Sequence, residues 1–378
     1  MKIGIIGFRQ SGKTTVFNAL TGRHAQTTTF GGGKTKANIA VVKVPDQRLD
    51  RLAEMIQPKK TVHATVEYID VAGIERKKSQ VESPSPDSLK SPGLDDAQLT
   101  ALAYTDALLA VIRDFEEVGL PPDVPGDIEA IQLEMIMSDL DKVDKRLPKL
   151  KSLVKKVAGR QREQNQLELA ALEKIKAGLE KETPIRDMDL TPTECKAVRG
   201  FTFLSEKPLF FLINVAEDAL VKSQGEPVSA MGGMIGLSPD KAQHVQYAAM
   251  CAEIEAEITQ LSHEEGRAFL DDYHISEPAS LRIIRLCYEL LGYISFFTVN
   301  EKEVHAWTLV EGTPALKAAG AVHSDMEHGF IRAEVVRWEK FLETGGFSQA
   351  RKTGDLLIEG KEYIVRDGDV INFLFSPH

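Results

Sequence analysis

The run Gly7-Phe8-Arg9-Gln10-Ser11-Gly12-Lys13-Thr14 constrains this chain more than any other stretch of its length. It spells G-x-x-x-x-G-K-[ST] directly after the apolar residues Ile3-Gly4-Ile5-Ile6, so a buried strand is expected to end in a glycine-rich loop and to open a helix. Backbone amides in such a loop close around phosphate oxygens. Lys13 adds a point charge for the outer phosphates, and the Thr14 hydroxyl can hold Mg²⁺. A helix from Thr14 to about Leu20 would aim its N-terminal dipole at the same anion. The blander reading, a strand-to-helix turn without a ligand, needs four specified positions to coincide behind a strand, and the phosphate reading is preferred. Its phosphate-binding set is Gly7, Arg9, Gln10, Ser11, Gly12, Lys13, Thr14 and Thr15.

The 378 residues exceed what one hydrophobic core usually holds, so two or three domains are expected. A net charge of −10 excludes bulk electrostatic attraction to nucleic acid, and any RNA contact must come from a local basic patch. Cys195, Cys251 and Cys287 are odd in number and widely spaced, which fits buried, reduced thiols better than a metal site. Among the nine histidines no HExxH spacing occurs, and His263-Glu264-Glu265 reads as surface. No apolar run approaches a membrane span and strand pattern begins at once, so a cytoplasmic protein is expected.

Residues 2–6 read as a parallel-sheet strand buried on both faces. Residues 23–38, with Gly31-Gly32-Gly33, have no period and read as a mobile loop, which in a P-loop nucleotidase would be the switch sensing the outermost phosphate. A strand over Ile39–Val44, a helix over Pro45–Ile56 with Leu49, Leu52 and Ile56 on one face, and a single long strand over Val62–Val71 follow. That strand ends in Asp70-Val71-Ala72-Gly73. D-x-x-G alone is a common turn, but after a P-loop, a loop and two strands it gains weight: Asp70 would reach Mg²⁺ through water and the Gly73 amide would meet the γ-phosphate. The next residue is Ile74, where many switch nucleotidases carry the Gln that orients water.

Residues 75–98 read as a Ser/Pro-rich flexible loop, and Ala107–Ile112 as a buried strand. From Asp127 to Val157 apolar residues recur at spacings of three and four, the pattern of a coiled-coil seam, with Pro148 expected to kink or interrupt it. Gly159–Gln164 turns the chain, and Leu167, Leu172, Ile175 and Leu179 place a returning helix against the first. Lys155, Lys156, Arg160 and Arg162 at the tip are a solvated face by default and a partner site as the competing reading. Pro208–Ile213 reads as a buried strand running into Asn214-Val215-Ala216-Glu217-Asp218, where a base-recognition loop would sit. From about Tyr293 short β-rich runs take over: His305–Val310, Phe330–Val336, Glu362–Arg366 and Val370–Phe375, with a helix near 337–345. The turn Asp367-Gly368-Asp369 is expected to join the last two as a hairpin.

Together these residues resemble the YchF family of Obg-like P-loop nucleotidases over nearly the whole length. The resemblance rests on the P-loop followed by Phe17-Asn18-Ala19-Leu20-Thr21, on Pro45-Asp46-Gln47-Arg48-Leu49-Asp50, on Asp70-Val71-Ala72-Gly73, on the helical insertion and on Asn214–Asp218. Its most specific part is C-terminal, where Glu303–Thr308, His328–Glu334 and Asp367–Val370 look like the family's TGS domain. The family's usual P-loop Asn is Gln10 here, and its usual switch segment Asn-Phe-Pro-Phe-Cys-Thr is replaced by Thr29-Phe30-Gly31-Gly32-Gly33-Lys34, with Thr35 one position late for the Mg²⁺-sensing threonine.

The resemblance implies an α/β fold: a P-loop GTPase-like, mostly parallel sheet over residues 1–126 and 206–292, an α-helical coiled-coil hairpin inserted over 127–205, and a TGS-like β-grasp domain over 293–378. It implies a cytoplasmic ATP- or GTP-hydrolysing protein associated with the ribosome or RNA; Ile74 and the rearranged switch point to slow turnover, Val215 and Glu217 favour ATP, and a monomer that binds neither DNA nor membrane is expected. Thr14, Asp70 and Thr35 would face Mg²⁺, Gly73 the phosphates, and Asn214, Val215 and Glu217 the base; no catalytic residue is assigned. The competing readings are a nucleotide-gated scaffold that no longer hydrolyses and a small-molecule P-loop kinase, the latter disfavoured by the appended hairpin and C-terminal domain.

Overall fold

The computed structural model describes residues 1–22, 28–30, 37–75, 93–117, 121–218, 245–272, 275 and 277–376. They form two units, one of Met1–Val41 with Glu67–Ser280 and one of Val42–Val66 with Leu281–His378. Residues 42–66, expected in the nucleotide-binding domain, thus pack with the C-terminal unit.

The first unit is built on a seven-stranded sheet. Its strands are β1 (Lys2–Ile6), β2 (Thr28–Phe30), β3 (Ala37–Lys43), β5 (Thr65–Asp70), β6 (Ala107–Asp114), β7 (Leu209–Val215) and β8 (Val245–Met250), in the order β2-β3-β5-β1-β6-β7-β8. From β5 to β8 every pairing is parallel, while β2 runs antiparallel to β3. All seven residues of β7 are buried, as apolar runs covered on both faces require. The core joins Ile6, Ile69, Leu108, Ile112, Phe211 and Ile213 to Ile128, Ile131 and Met135 of the long helix that follows β6.

Helix α1 (Lys13–Thr21) starts directly on the P-loop. Helix α3 (Asp96–Ala103) lies partly in the segment read as a loop: Asp95 and Gln98 form a reciprocal capping box that starts it, and the rest of that loop, 76–92, lies outside the described residues. Helix α4 (Val124–Lys156) runs unbroken through Pro148, contrary to expectation. A proline inside a helix costs about 3 kcal/mol. Val143, Leu147 and Leu150 offset it by sharing a buried cluster with Leu172, Ile175 and Leu179 of the returning helix α5 (Arg160–Leu179). Ion pairs Lys176–Asp144 at 2.5 Å, Arg146–Glu168 at 2.8 Å and Lys151–Glu173 at 2.9 Å also bridge the two helices. The turn is shorter than expected, because Arg160 already opens α5, and Leu167 is exposed instead of buried. Buried Asp139 on α4 fastens the hairpin base, accepting the amides of Leu204 at 3.0 Å and Ser205 at 2.7 Å.

The second unit holds a six-stranded sheet ordered β12-β11-β13-β9-β10-β4. Here β4 is Lys60–Val62, β9 Tyr293–Val299, β10 Glu303–Val310, β11 Phe330–Arg337, β12 Leu357–Glu359 and β13 Asp369–Phe375. The single strand expected over Val62–Val71 is therefore two: β4 pairs with β10 in this sheet, and β5 with β1 in the other. Alternation along β9 gives the sheet two cores. Phe296 packs with Leu309, Ala315, Ala319 and Phe373, while Phe297 packs with Leu49 and Leu52 of helix α2 (Gln47–Ile56), Val304, Val336 and Phe341.

No hairpin forms at Asp367–Asp369. Residues 362–366 are not a strand, and β13 pairs instead with β11 and β9. Fully buried Asp369 accepts the Tyr363 hydroxyl at 2.8 Å and the Arg366 amide at 2.9 Å, which ties the preceding segment as a loop. Asp367 accepts the Ser295 amide and Arg48. Among the described residues no helix is long and apolar enough to cross a membrane.

Candidate nucleotide site

In a parallel sheet the loops after successive strands meet at the carboxyl edge, where ligands bind in such folds. Three of the five parallel strands deliver a sequence-predicted residue there. Gly7 follows β1, Asp70 ends β5, Asn214 and Val215 end β7, and the register Ile5↔Asp70 puts the carboxylate beside the start of the P-loop.

Gly7 lets the chain leave β1; its carbonyl accepts the Ile74 amide at 2.9 Å, and the Arg9 amide donates to the Ile74 carbonyl at 3.0 Å. The D-x-x-G loop is thereby stitched to the P-loop, and Gln98 Nε2 fixes it from the other side by donating to the Ala72 carbonyl at 2.8 Å. Ile74 itself is buried in the core.

Lys13 and Asp70 are both buried within this frame. Burial lowers the Lys13 pKa, Asp70 opposes the shift and Arg9 adds to it. Burial likewise raises the Asp70 pKa against the pull of Lys13, Asn38 and Thr14. Asp70 Oδ2 accepts the Thr14 hydroxyl and the Asn38 amide, each at 3.4 Å, whereas the buried Asp70 Oδ1 and Ser11 Oγ have no hydrogen-bond partner among the described residues. Each of the two opposite charges is thus under-compensated where it stands, the condition of a site completed by an anion and a cation together. A buried carboxylate oxygen without a partner beside a threonine hydroxyl is a hard-oxygen donor set, and it fits Mg²⁺.

At the other end, Asn214 acts as a tie. Its Nδ2 donates to the Ser11 carbonyl at 3.1 Å and its Oδ1 accepts the Ala252 amide at 3.0 Å, joining the P-loop to the helix after β8. Gly12, the N-cap of α1, sits at φ 83 so close to this amide that a Cβ would lie 2.1 Å from Asn214 Nδ2. A pocket of about 900 Å³ opens beside the tie, lined by Gly12, Thr15, Phe115, Val215, Glu217 and Cys251 among others. Arg113, buried, shapes its rim by donating to the carbonyls of Phe115 and Pro121.

The structure brings Gly7, Ser11, Gly12, Lys13, Thr14, Asp70 and Gly73 to one edge, and Thr15, Val215 and Glu217 to the adjoining pocket. Val215, expected in a loop, is the last residue of β7, paired with Asp114 and buried, so the loop begins at Ala216. Gln10 takes the left-handed conformation at φ 66, which Asn adopts more readily than Gln. Thr35 lies outside the described residues. Sequence reasoning missed Asn38 and Gln98. Only the pairing of β3 with its neighbours and the capping box, both long-range or conformational facts, bring them in; D-x-x-Q at 95–98 was the one legible signal.

A family described as a 50S ribosome-binding GTPase matches residues 2–151, and a C-terminal YchF GTPase family, described as a protein of unknown function, matches 293–376. The chain is 36% identical over 380 residues to a ribosome-binding ATPase YchF of Bacillus subtilis, covering 99% of this chain and 98% of that protein. It is also 36% identical over 384 residues to one from Escherichia coli O157:H7, covering 99% of each. The solved Schizosaccharomyces pombe YchF GTPase superposes with a TM-score of 0.80 at 26% identity, over 99% of this chain and 97% of that one.

Proposed function

The chain belongs to the YchF family, and from that premise we propose that it binds ATP in preference to GTP, hydrolyses it slowly, and uses its nucleotide state to regulate an association with the ribosome in the cytoplasm. The observation that carries this reading is the convergence of buried Lys13 and Asp70, with Thr14, at the edge where α1 begins. Lys13 and the amides of residues 9–15 hold the phosphates, and the Gly73 amide faces the outermost one. Thr14 and Asp70 would hold Mg²⁺, which when bound supplies charge neutralisation between the outer phosphates.

Glu217 meets the base edge. The familiar guanine-reading loop is Asn-Lys-x-Asp, whose Lys stem covers the base and whose short Asp accepts the two adjacent guanine donors. Here Val215 and Glu217 stand in those places, so the cover is absent and the carboxylate sits one methylene further out. Adenine, with a donor at N6 beside an acceptor at N1, loses less by that change. The ribosome follows from relatives named ribosome-binding ATPases and from the family matched by residues 2–151, a 50S ribosome-binding GTPase.

One observation favours the second reading, a nucleotide-gated scaffold that does not hydrolyse. Ile74, where a water-orienting Gln would stand, is buried in the core and offers no polar side chain. Intrinsic rates even of Gln-bearing switch GTPases are only on the order of 10⁻⁴ to 10⁻² per second, so turnover below about one per second is expected here.

Calorimetric titration with ATP, GTP and their diphosphates in Mg²⁺ tests the proposal. Lys13→Ala removes a charge-assisted contact worth roughly 1.5–3 kcal/mol and is expected to weaken binding at least tenfold. An unchanged dissociation constant removes the P-loop from the argument, tighter GTP than ATP binding refutes the preference, and absence of released phosphate over many hours leaves the scaffold.

A further inference from the structure

Arg9 has a side chain that the phosphate-loop reading leaves unused. The backbone amide of residue 9 belongs to the loop, but its guanidinium reaches out of it and pairs with Glu75 at 2.9 Å, both side chains being more than half exposed. The place where it does so is distinctive. A Cβ on Gly73 would stand 3.0 Å from Arg9 Cα, from Arg9 Cγ and from Lys13 Nζ, so the stem of Arg9 and the ammonium of Lys13 converge on the glycine of D-x-x-G. The field of Arg9 is felt at Lys13 and contributes to lowering its pKa. The residue is also held at both ends: its amide donates to the Ile74 carbonyl, and its carboxylate partner is the next residue after Ile74.

We propose that Arg9 reads the γ-phosphate: a bound nucleoside triphosphate competes with Glu75 for its guanidinium and draws it off the carboxylate, so that Arg9 distinguishes triphosphate from diphosphate. This rests on the nucleotide reading above and names the part of that site that senses the terminal phosphate. The energetics favour exchange. An exposed ion pair is worth little, so Glu75 holds the guanidinium weakly. A terminal phosphate carries more charge than a carboxylate and offers the planar fork two oxygens to grip. A diphosphate ends one phosphate short of Gly73 and leaves the Arg9–Glu75 pair in place. Glu75 then acts as an intramolecular competitor that sets how strongly the triphosphate is preferred.

The test compares wild type, Arg9→Ala, Arg9→Lys and Glu75→Gln by calorimetry, using the non-hydrolysable imido analogue of ATP and ADP, each with Mg²⁺. Arg9→Ala is expected to weaken the analogue by about ten- to hundredfold, as loss of a charged hydrogen-bonded contact does, and to leave ADP within twofold. Arg9→Lys recovers part of the loss because it keeps the charge without the fork. Glu75→Gln removes the competitor and tightens the analogue a few-fold. Because Arg9 and Glu75 are exposed, the variants keep the wild-type thermal midpoint, which is measured alongside. Equal weakening of analogue and ADP by Arg9→Ala makes Arg9 a mere support of the loop and overturns the proposal, as does no weakening of either. A Glu75→Gln protein identical to wild type overturns the competition. If wild type binds neither nucleotide, the nucleotide reading itself has failed, a result distinct from all of these.

Discussion

Gly12→Ala together with Asn214→Ala probes the tie between the P-loop and the rest of the site. Alanine at position 12 meets two obstacles. At φ 83 the residue lies in the left-handed region, which costs an L side chain roughly 1–2 kcal/mol. Its Cβ would also fall 2.1 Å from Asn214 Nδ2, so the amide must leave. That breaks the bonds to the Ser11 carbonyl at 3.1 Å and from the Ala252 amide at 3.0 Å. Stranding two buried backbone groups costs about 1–3 kcal/mol each, at the low end where water reaches one of them.

Gly12→Ala is therefore expected to cost on the order of 3–5 kcal/mol, and Asn214→Ala about 2–4 kcal/mol. Once Asn214 is alanine the collision is gone, and adding Gly12→Ala costs only the dihedral term, roughly 1–2 kcal/mol. The double variant should thus be more stable than the sum of the singles predicts by about 2–3 kcal/mol. Urea unfolding of the four nucleotide-free proteins, compared at a common slope, measures this. Additivity within roughly 0.5 kcal/mol would mean that Gly12 and Asn214 do not compete for the same space, and would falsify the tie as described.

Lys13→Met is expected to weaken nucleotide binding at least tenfold yet leave the nucleotide-free protein at least as stable as wild type at neutral pH. The folded-state pKa of Lys13 lies below 10.5, so between the two values the unfolded chain binds more protons and wild-type stability rises with pH. The advantage of the Met variant should therefore shrink as pH climbs towards 10.5, and urea midpoints at several pH values that run parallel refute this. Asp139→Asn leaves one of the two amides at Leu204 and Ser205 without its carboxylate oxygen. The expected loss is about 1–3 kcal/mol in urea unfolding, and an unchanged midpoint would show that the hairpin base does not depend on it. Neutralising Lys155, Lys156, Arg160 and Arg162, all exposed where α4 meets α5, is expected to weaken co-sedimentation with ribosomes, as is added salt. Indifference to both assigns these charges to solvation alone.

The nucleotide half of the molecule was legible because its signals are local. The P-loop, the strand before it and the helix after it occupy about twenty consecutive residues, and Asp70 is fixed by a strand end. What escaped was decided by distant partners. Val62 and Val66 look like one β-branched run, yet the chain changes sheets between them because β10 and β1 each claim a separate piece. Val215 reads as loop from its neighbours and is strand because Asp114 pairs with it. Glu362–Arg366 has strand composition, but Asp369 takes its polar groups for a loop. Pro148 breaks a helix considered alone and does not break one that α5 supports along its flank.

The second core also has a history in time. Leu49 and Leu52 on α2 are completed by Phe297, Val304, Val336 and Phe341, which a ribosome adds roughly 240–290 residues later. At a synthesis rate of about 5–20 residues per second, the apolar face of α2 waits on the order of 10–60 s for its partners. The nucleotide-binding sheet faces the same delay only up to β8. During that interval a newly made chain carries an amphipathic helix whose apolar face lacks these core partners. A fragment beginning at residue 293 never receives α2 or β4, and it should emerge with one core sealed and the other open.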